Sequence, residues 1–305
     1  MQTPPKPNSN SQDDDAAPGT SDASLILPSL AELYPPLSLT DIFSAQEPPC
    51  NTGQSLAPCN GECVTGKVTH SPSGASHLPP PRDTLAVALL VSGSPQGVSP
   101  KLLRELVSQT DFTLALDSGA DFLTAAGLVP DLLLGDFDSI SQDGLARLEA
   151  SGVPVARHDA YKNATDVELG IEELYLRGYR RFIATNVLGA RTDHALGSLA
   201  ALAEAAFNRG MQVTLRDERE TCYFVSGTTE DKVLELEFLE QPPSYVSLIS
   251  WGGPSTVSLK GTEWELDHFT LTPYSARGVS NELRSSVLHL EVHKNSATVL
   301  LLLTL

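Results

Sequence analysis

Between Leu85 and Leu215 the chain alternates uninterrupted apolar runs with stretches of helical periodicity, and few folds accept that pattern. Leu85 to Val91 is a continuous apolar run; Ser99-Pro100 then supplies an N-cap with proline at the first helical position, and Leu102, Leu103, Leu106 and Val107 fall on one helical face. The unit repeats. Strands are predicted at Phe112 to Leu116, Asp131 to Leu134, Val153 to Ala156, Arg181 to Val187 and Met211 to Leu215, with helices near 120 and 145, over 166 to 177 and over 193 to 208. Strands apolar along their whole length, separated by helices, imply a mainly parallel sheet covered on both faces by right-handed crossovers, a doubly wound α/β domain.

Two flanking regions differ. Residues 1–83 are rich in proline, serine, glycine and asparagine, carry Asp13-Asp14-Asp15 and show little periodicity, the composition of a disordered extension. Within it, Leu25 to Ile42 is the one apolar stretch fit for a short docking helix. After residue 217 helical periodicity stops, and short runs separated by Gly, Pro and Asn turns point to an all-β sandwich over 218–305. The expected organisation is therefore extension 1–83, α/β domain 84–217 and β-sandwich 218–305.

A formal charge of −18 argues against a nucleic-acid or anionic-membrane surface, because those partners require dense lysine and arginine. The N-terminus lacks the basic and apolar regions of a secretory signal, and no apolar run reaches the roughly 18 residues of a spanning helix. A cytoplasmic protein is expected. Cys50, Cys59 and Cys63 lack the paired spacing of a zinc site, and with Cys222 they are read as reduced thiols.

The chemistry concentrates at strand ends. In Leu134-Gly135-Asp136-Phe137-Asp138-Ser139 a buried strand stops at glycine, and two carboxylates follow at a spacing that places both on one side of extended backbone. Two such anions repel unless solvent screens them or a hard divalent cation sits between them. In doubly wound sheets ligands bind outside the carboxyl ends of the strands, and Asp117, Asp136, Asp138, Asp159 and Gly189 to Asp193 all follow strands directly. Acids of a merely solvated surface would scatter over both edges.

Asp117-Ser118-Gly119-Ala120-Asp121, Gly135-Asp136-Phe137-Asp138-Ser139, Lys162-Asn163-Ala164-Thr165-Asp166 and Gly189-Ala190-Arg191-Thr192-Asp193-His194, in this order, resemble the thiamine pyrophosphokinase family. The resemblance extends through the β region, where Gly261-Thr262-Glu263-Trp264 and Ser280-Asn281 match further family elements. It implies transfer of a pyrophosphoryl group from ATP to the hydroxyl of thiamine, giving thiamine diphosphate and AMP, with Mg²⁺, in a homodimer whose site forms between subunits. Under that resemblance Asp117, Asp136, Asp138 and Asp166 are the metal carboxylates, and Lys162 and Arg191 contact the phosphates. Thr165, Gly189 and Asp193 belong to the nucleotide site, Asp193 holding either Arg191 or a substrate hydroxyl, and Trp264, Ser280 and Asn281 meet thiamine.

Bland readings stand beside these. Thr165-x-x-Glu168 fits a capping box, Asp193 fits a helix cap, Trp264 fits sandwich core and Ser280-Asn281 fits a turn. Ser118, Asp121, Asn163 and Ala190 depart from the residues usual in the family, and Asn163 and Ala190 bear on metal or nucleotide affinity. Two other functions compete. The Asp136-x-Asp138 pair resembles the nucleophile motif of haloacid-dehalogenase-like phosphatases, although it follows the third strand rather than the first. A non-catalytic nucleotide- or thiamine-binding regulator is the alternative outside catalysis, and loss of a metal carboxylate would mark it.

Overall fold

The computed structural model describes residues 85–157, 164–189, 191–238 and 242–305. The expected extension, with its cysteines and the segment Leu25 to Ile42, lies outside the described residues, as do Asp159, Lys162, Asn163 and Ala190. The α/β part runs β1 (Val87–Val91), α1 (Pro100–Ser108), β2 (Phe112–Leu116), α2 (Gly119–Ala125), β3 (Leu132–Gly135) and α3 (Gln142–Ala150). It continues through β4 (Val155–Arg157), α4 (Asp166–Leu176), β5 (Arg181–Thr185), α5 (Thr192–Phe207) and β6 (Gln212–Arg216). The helix starts follow their capping chemistry: Ser99 accepts the N–H of Leu102 at 3.2 Å ahead of Pro100, and Ser141 accepts that of Gly144 at 3.0 Å.

The strand order is β4-β3-β2-β1-β5-β6, parallel throughout, so the chain builds outward from β1 in one direction and then returns to build in the other. Alternate residues explain the apolar runs. Leu89, Val91, Ala115 and Leu133 pack beneath α1, α2 and α3, whereas Leu90, Leu114, Leu116, Leu132 and Leu134 pack beneath α4 and α5. A strand covered on both faces buries every side chain, and β2 and β3 are buried along their whole length.

The sheet does not stop at residue 217. After β6 it continues antiparallel through β7 (Glu220–Ser226), β13 (Thr298–Thr304) and β9 (Tyr245–Trp251), making nine strands. A second, antiparallel sheet has the order β11 (Leu266–Leu271), β10 (Ser255–Lys260), β12 (Val287–Val292), β8 (Lys232–Glu237). Leu300 and Leu302 of β13 face the core under α5, while Val299, Leu301 and Leu303 pack with Val257, Leu259, Leu288, Leu290 and Val292 of the second sheet. One layer of the sandwich is thus the far end of the long sheet. Cys222 is a buried free cysteine on β7, its thiol pushed up by burial.

Candidate active site

The order reverses between β1 and β5, and the ends of β1, β2, β3 and β5 surround that reversal, where open α/β sheets form their ligand crevice. Asp117 closes β2 with φ of +44°, and its N–H donates to Leu134 O at 3.0 Å, holding the end of β2 against β3. Its carboxylate turns back over β3, where Oδ1 accepts the Phe137 N–H at 3.0 Å. Only glycine fits below it, since a Cβ on Gly135 would lie 1.8 Å from Asp117 Oδ1. Phe137, with φ of +68°, turns the chain under the Arg157 guanidinium, 4.5 Å from the ring centroid, and Asp138 N–H donates to Asp136 Oδ1 at 3.1 Å.

Asp166 opens α4 and brings a third acid to the same place. The capping box is present: Glu168 N–H donates to Thr165 Oγ1 at 3.2 Å and Thr165 N–H donates to Glu168 Oε2 at 2.7 Å. The Thr165 hydroxyl is thereby engaged in fixing the helix start, and the helix start fixes Asp166. Asp117 is 6% exposed, and its carboxyl is pushed up to about 7, first by burial, then by the charge of Asp166, to which it hydrogen-bonds, and by that of Asp136. The structure therefore gathers Asp117, Asp136 and Asp166 as one electrostatic group, with Asp138 exposed at its rim. Clustered hard oxygen donors that repel one another suit a divalent cation such as Mg²⁺, which would replace the proton Asp117 retains.

Arg191 and Asp193 begin α5. Arg191 donates to both carboxylate oxygens of Asp193, at 2.6 and 3.2 Å, and the Arg191 hydrogen bonds hold the Asp193 carboxyl down to about 2. Both side chains are mainly in solvent, as is His194. Gly189 precedes them, and a Cβ there would lie 2.4 Å from Ser94 Oγ.

That last contact exposes residues the sequence reading passed over. Ser94 Oγ donates to Leu188 O at 2.6 Å, and Ser94 N–H donates to Asn186 O at 3.1 Å. Asn186, 1% exposed with φ of +56°, donates Nδ2–H to Ser92 O and its backbone N–H to Asp217 Oδ1, both at 2.8 Å. The loops after β1 and β5 are laced together across the reversal. Ser92-Gly93-Ser94-Pro95 carried a findable signal, because the rule that sites follow strand ends applies to β1 as much as to β2 and β3. The departure at Asp121 also has a local role: it accepts the N–H and hydroxyl of Ser141, the cap of α3, at 2.9 and 2.6 Å.

Trp264, Ser280 and Asn281 form a second group within the β part. Trp264 is 61% exposed, so it is not core. Asn281 accepts the N–H groups of Trp264 and Glu282 at 3.1 and 2.9 Å, and donates to Trp264 O and Thr262 Oγ1 at 2.7 and 3.0 Å. Its amide is saturated by holding the tryptophan's backbone, and Trp264 is the group left open. Ser280 takes φ of +62° and donates its N–H to Ser247 Oγ at 3.0 Å.

A mainly parallel α/β layer with acids gathered at its switch edge, continued by an antiparallel β part that presents an open tryptophan, defines a two-part α/β and β protein with one candidate site in each part. Residues 103–215 match the model of the thiamin pyrophosphokinase catalytic domain, and residues 234–296 match that of the thiamin pyrophosphokinase vitamin B1 binding domain. The chain belongs to the thiamin pyrophosphokinase family. A thiamine pyrophosphokinase of Bacillus subtilis is 25% identical over 195 residues, which cover 64% of this chain and 88% of the relative. In fold, the crystal structure of a thiamine pyrophosphokinase from B. subtilis is similar with a TM-score of 0.61, at 21% identity, covering 72% of this chain and 98% of the other. The Candida albicans structure gives a TM-score of 0.62 at 15% identity, covering 72% and 89%.

Proposed function

We propose that this protein transfers the pyrophosphoryl group of ATP to the hydroxyl of thiamine, giving thiamine diphosphate and AMP. The observation that carries the reading is the convergence of Asp117, Asp136 and Asp166 on one strand edge, in a chain matched by both the catalytic and the vitamin B1 binding models of one family. Transfer at phosphorus consists largely of positioning and charge stabilisation. Held by these carboxylates, Mg²⁺ would supply neutralisation of phosphate charge.

The chain's own residues account for the rest. Asp117, Asp136, Asp138 and Asp166 would supply the oxygen donors for the cation, Asp117 in its deprotonated form. Arg191, oriented by Asp193, and Lys162 meet the triphosphate, the arginine through its planar fork. Thr165 acts by fixing α4 and Gly189 by letting the backbone approach the nucleotide. Trp264 offers its exposed face to a thiamine ring; Asn281 holds that face in place, and Ser280 keeps its hydroxyl for the ring's edge. We assign the protein to the cytoplasm as a homodimer, with thiamine and ATP as its small-molecule partners.

The test is AMP release from ATP with magnesium and with or without thiamine. AMP that appears only with thiamine, matched by thiamine diphosphate, is the expected result. AMP without thiamine indicates a hydrolase, and binding of both ligands without AMP indicates a regulator.

A further inference from the structure

The outer face of the second sheet carries a cluster that the proposed reaction does not use. Because Leu288, Leu290 and Val292 of β12 point into the core, His289, Glu291 and His293 point the other way. Val292 pairs with Lys232, so His293 lies one step beyond that pair, opposite Asp231 at the start of β8. Ligand atoms of Asp231, Glu291 and His293 all lie within 4.8 Å of one another, with His293 Nδ1 at 3.7 Å from a Glu291 oxygen. A cation with bonds of about 2.0 to 2.2 Å spans at most about 4.4 Å between two donors, so small side-chain rotations complete the shell.

The surroundings orient the histidine as a ligand. Its far nitrogen, Nε2, sits 2.8 Å from Ser258 Oγ, a hydroxyl on a residue only 5% exposed, and the same oxygen accepts the His268 N–H at 3.1 Å. The Ser258 hydroxyl can serve Nε2 as donor or acceptor; with Nε2–H donating to it, as metal binding through Nδ1 requires, the Nδ1 lone pair faces the carboxylates. The His268 ring stacks on His293 with centroids 4.2 Å apart and fixes its plane. Asp231 is set as well, because Oδ1 accepts the Lys294 N–H at 2.7 Å and leaves Oδ2 for a ligand.

We propose that Asp231, Glu291 and His293 bind a divalent first-row transition-metal cation, of which zinc(II) fits this one-nitrogen, two-oxygen donor set. The imidazole nitrogen sets this site apart from the all-carboxylate group at the strand edge, which suits Mg²⁺. Bound metal would tie the start of β8 to the end of β12.

The test measures zinc binding by equilibrium dialysis on the full chain, in saturating magnesium, for wild type, Asp231→Asn and His293→Gln. Asp231→Asn keeps an oxygen to accept the Lys294 N–H and lies at an exposed position, so it remains informative if His293→Gln fails to fold. Wild type should bind one more equivalent than either variant, or bind it at least ten-fold more tightly. Cobalt(II) should give visible bands that both variants lose, without the thiolate charge-transfer band that cysteine ligation would produce. AMP release should be unchanged in Asp231→Asn. Equal zinc stoichiometry and affinity in wild type and the folded variants overturns the proposal, whatever becomes of the catalytic reading.

Discussion

Asp117 is the residue on which the strand-edge acids depend, because it is buried where Asp136 and Asp166 can reach it only if β3 ends in a residue without a side chain. Gly135 was legible as a strand terminator, but the reason for it was not. The 1.8 Å a Cβ would leave to Asp117 Oδ1 is a contact across two strands, and no local pattern encodes it. The proton on Asp117 gives a measurable consequence. An ordinary Asp carboxyl titrates near 3.8, whereas folding pushes this one up to about 7. Between those values the unfolded chain has released the proton and the folded chain retains it, so stability falls as pH rises through that window and levels above it. In chelator, the thermal midpoint of wild type should therefore decline from about pH 4 to about pH 7 more steeply than that of Asp117→Asn, which has no proton to lose. Magnesium should reverse the decline for wild type and not for the variant. Parallel pH profiles for the two proteins would remove Asp117 from the role of shared-proton acid.

At the scale of elements, helix starts and buried strands were legible because their causes are local. Ser99-Pro100, Thr165-x-x-Glu168 and the apolar runs of β1 to β3 each act within a few residues of where they are written. The approach to β11 was not legible in the same way. Trp264 does not open β11, which begins at Leu266, because Asn281, 17 residues away, takes the tryptophan's N–H and C=O out of the sheet ladder. This separates two substitutions. Trp264→Ala removes an exposed ring, so the thermal midpoint should stay within about 2 °C. Thiamine should bind more weakly by about 1 to 3 kcal/mol, roughly 5- to 150-fold, if the ring stacks on it. Asn281→Ala leaves the Trp264 and Glu282 N–H groups without their acceptor and should cost about 2 to 4 kcal/mol of stability, with thiamine affinity falling as a consequence. Thermal unfolding and the KM for each substrate read the two effects separately. A Trp264→Ala protein that melts several degrees lower with an unchanged thiamine KM would make the ring a structural prop.

For the whole molecule, composition indicated an α/β layer and a β layer but not that one sheet runs through both. β13 closes that gap by pairing with β7, 72 residues earlier at the Thr298–Ser226 pair, and with β9, 47 residues earlier at the Thr298–Trp251 pair. Pairings at that distance follow from which strand the last apolar run can cover on both faces, which only the assembled core decides. A continuous sheet makes the α/β and β parts hard to move against each other, so a site that uses both either lies where one chain brings them together or is completed by a second chain. Among the described residues, every hydrogen bond that fixes Trp264 and Asn281 stays within the β part, and the Arg191–Asp193 pair lies on the α/β edge, so neither group requires the other for its own geometry. The two can therefore be inactivated independently. If its guanidinium acts on the phosphates, Arg191→Ala should lower the maximal rate with little change in thiamine KM. Mixing it with Trp264→Ala under conditions of verified subunit exchange then distinguishes the arrangements. If a site takes Arg191 from one chain and Trp264 from its partner, half of the mixed dimers' sites recover both residues, and activity rises to a sizeable fraction of wild type. If both come from one chain, every site in the mixture lacks one of them, and activity stays at the sum of the two separate variants.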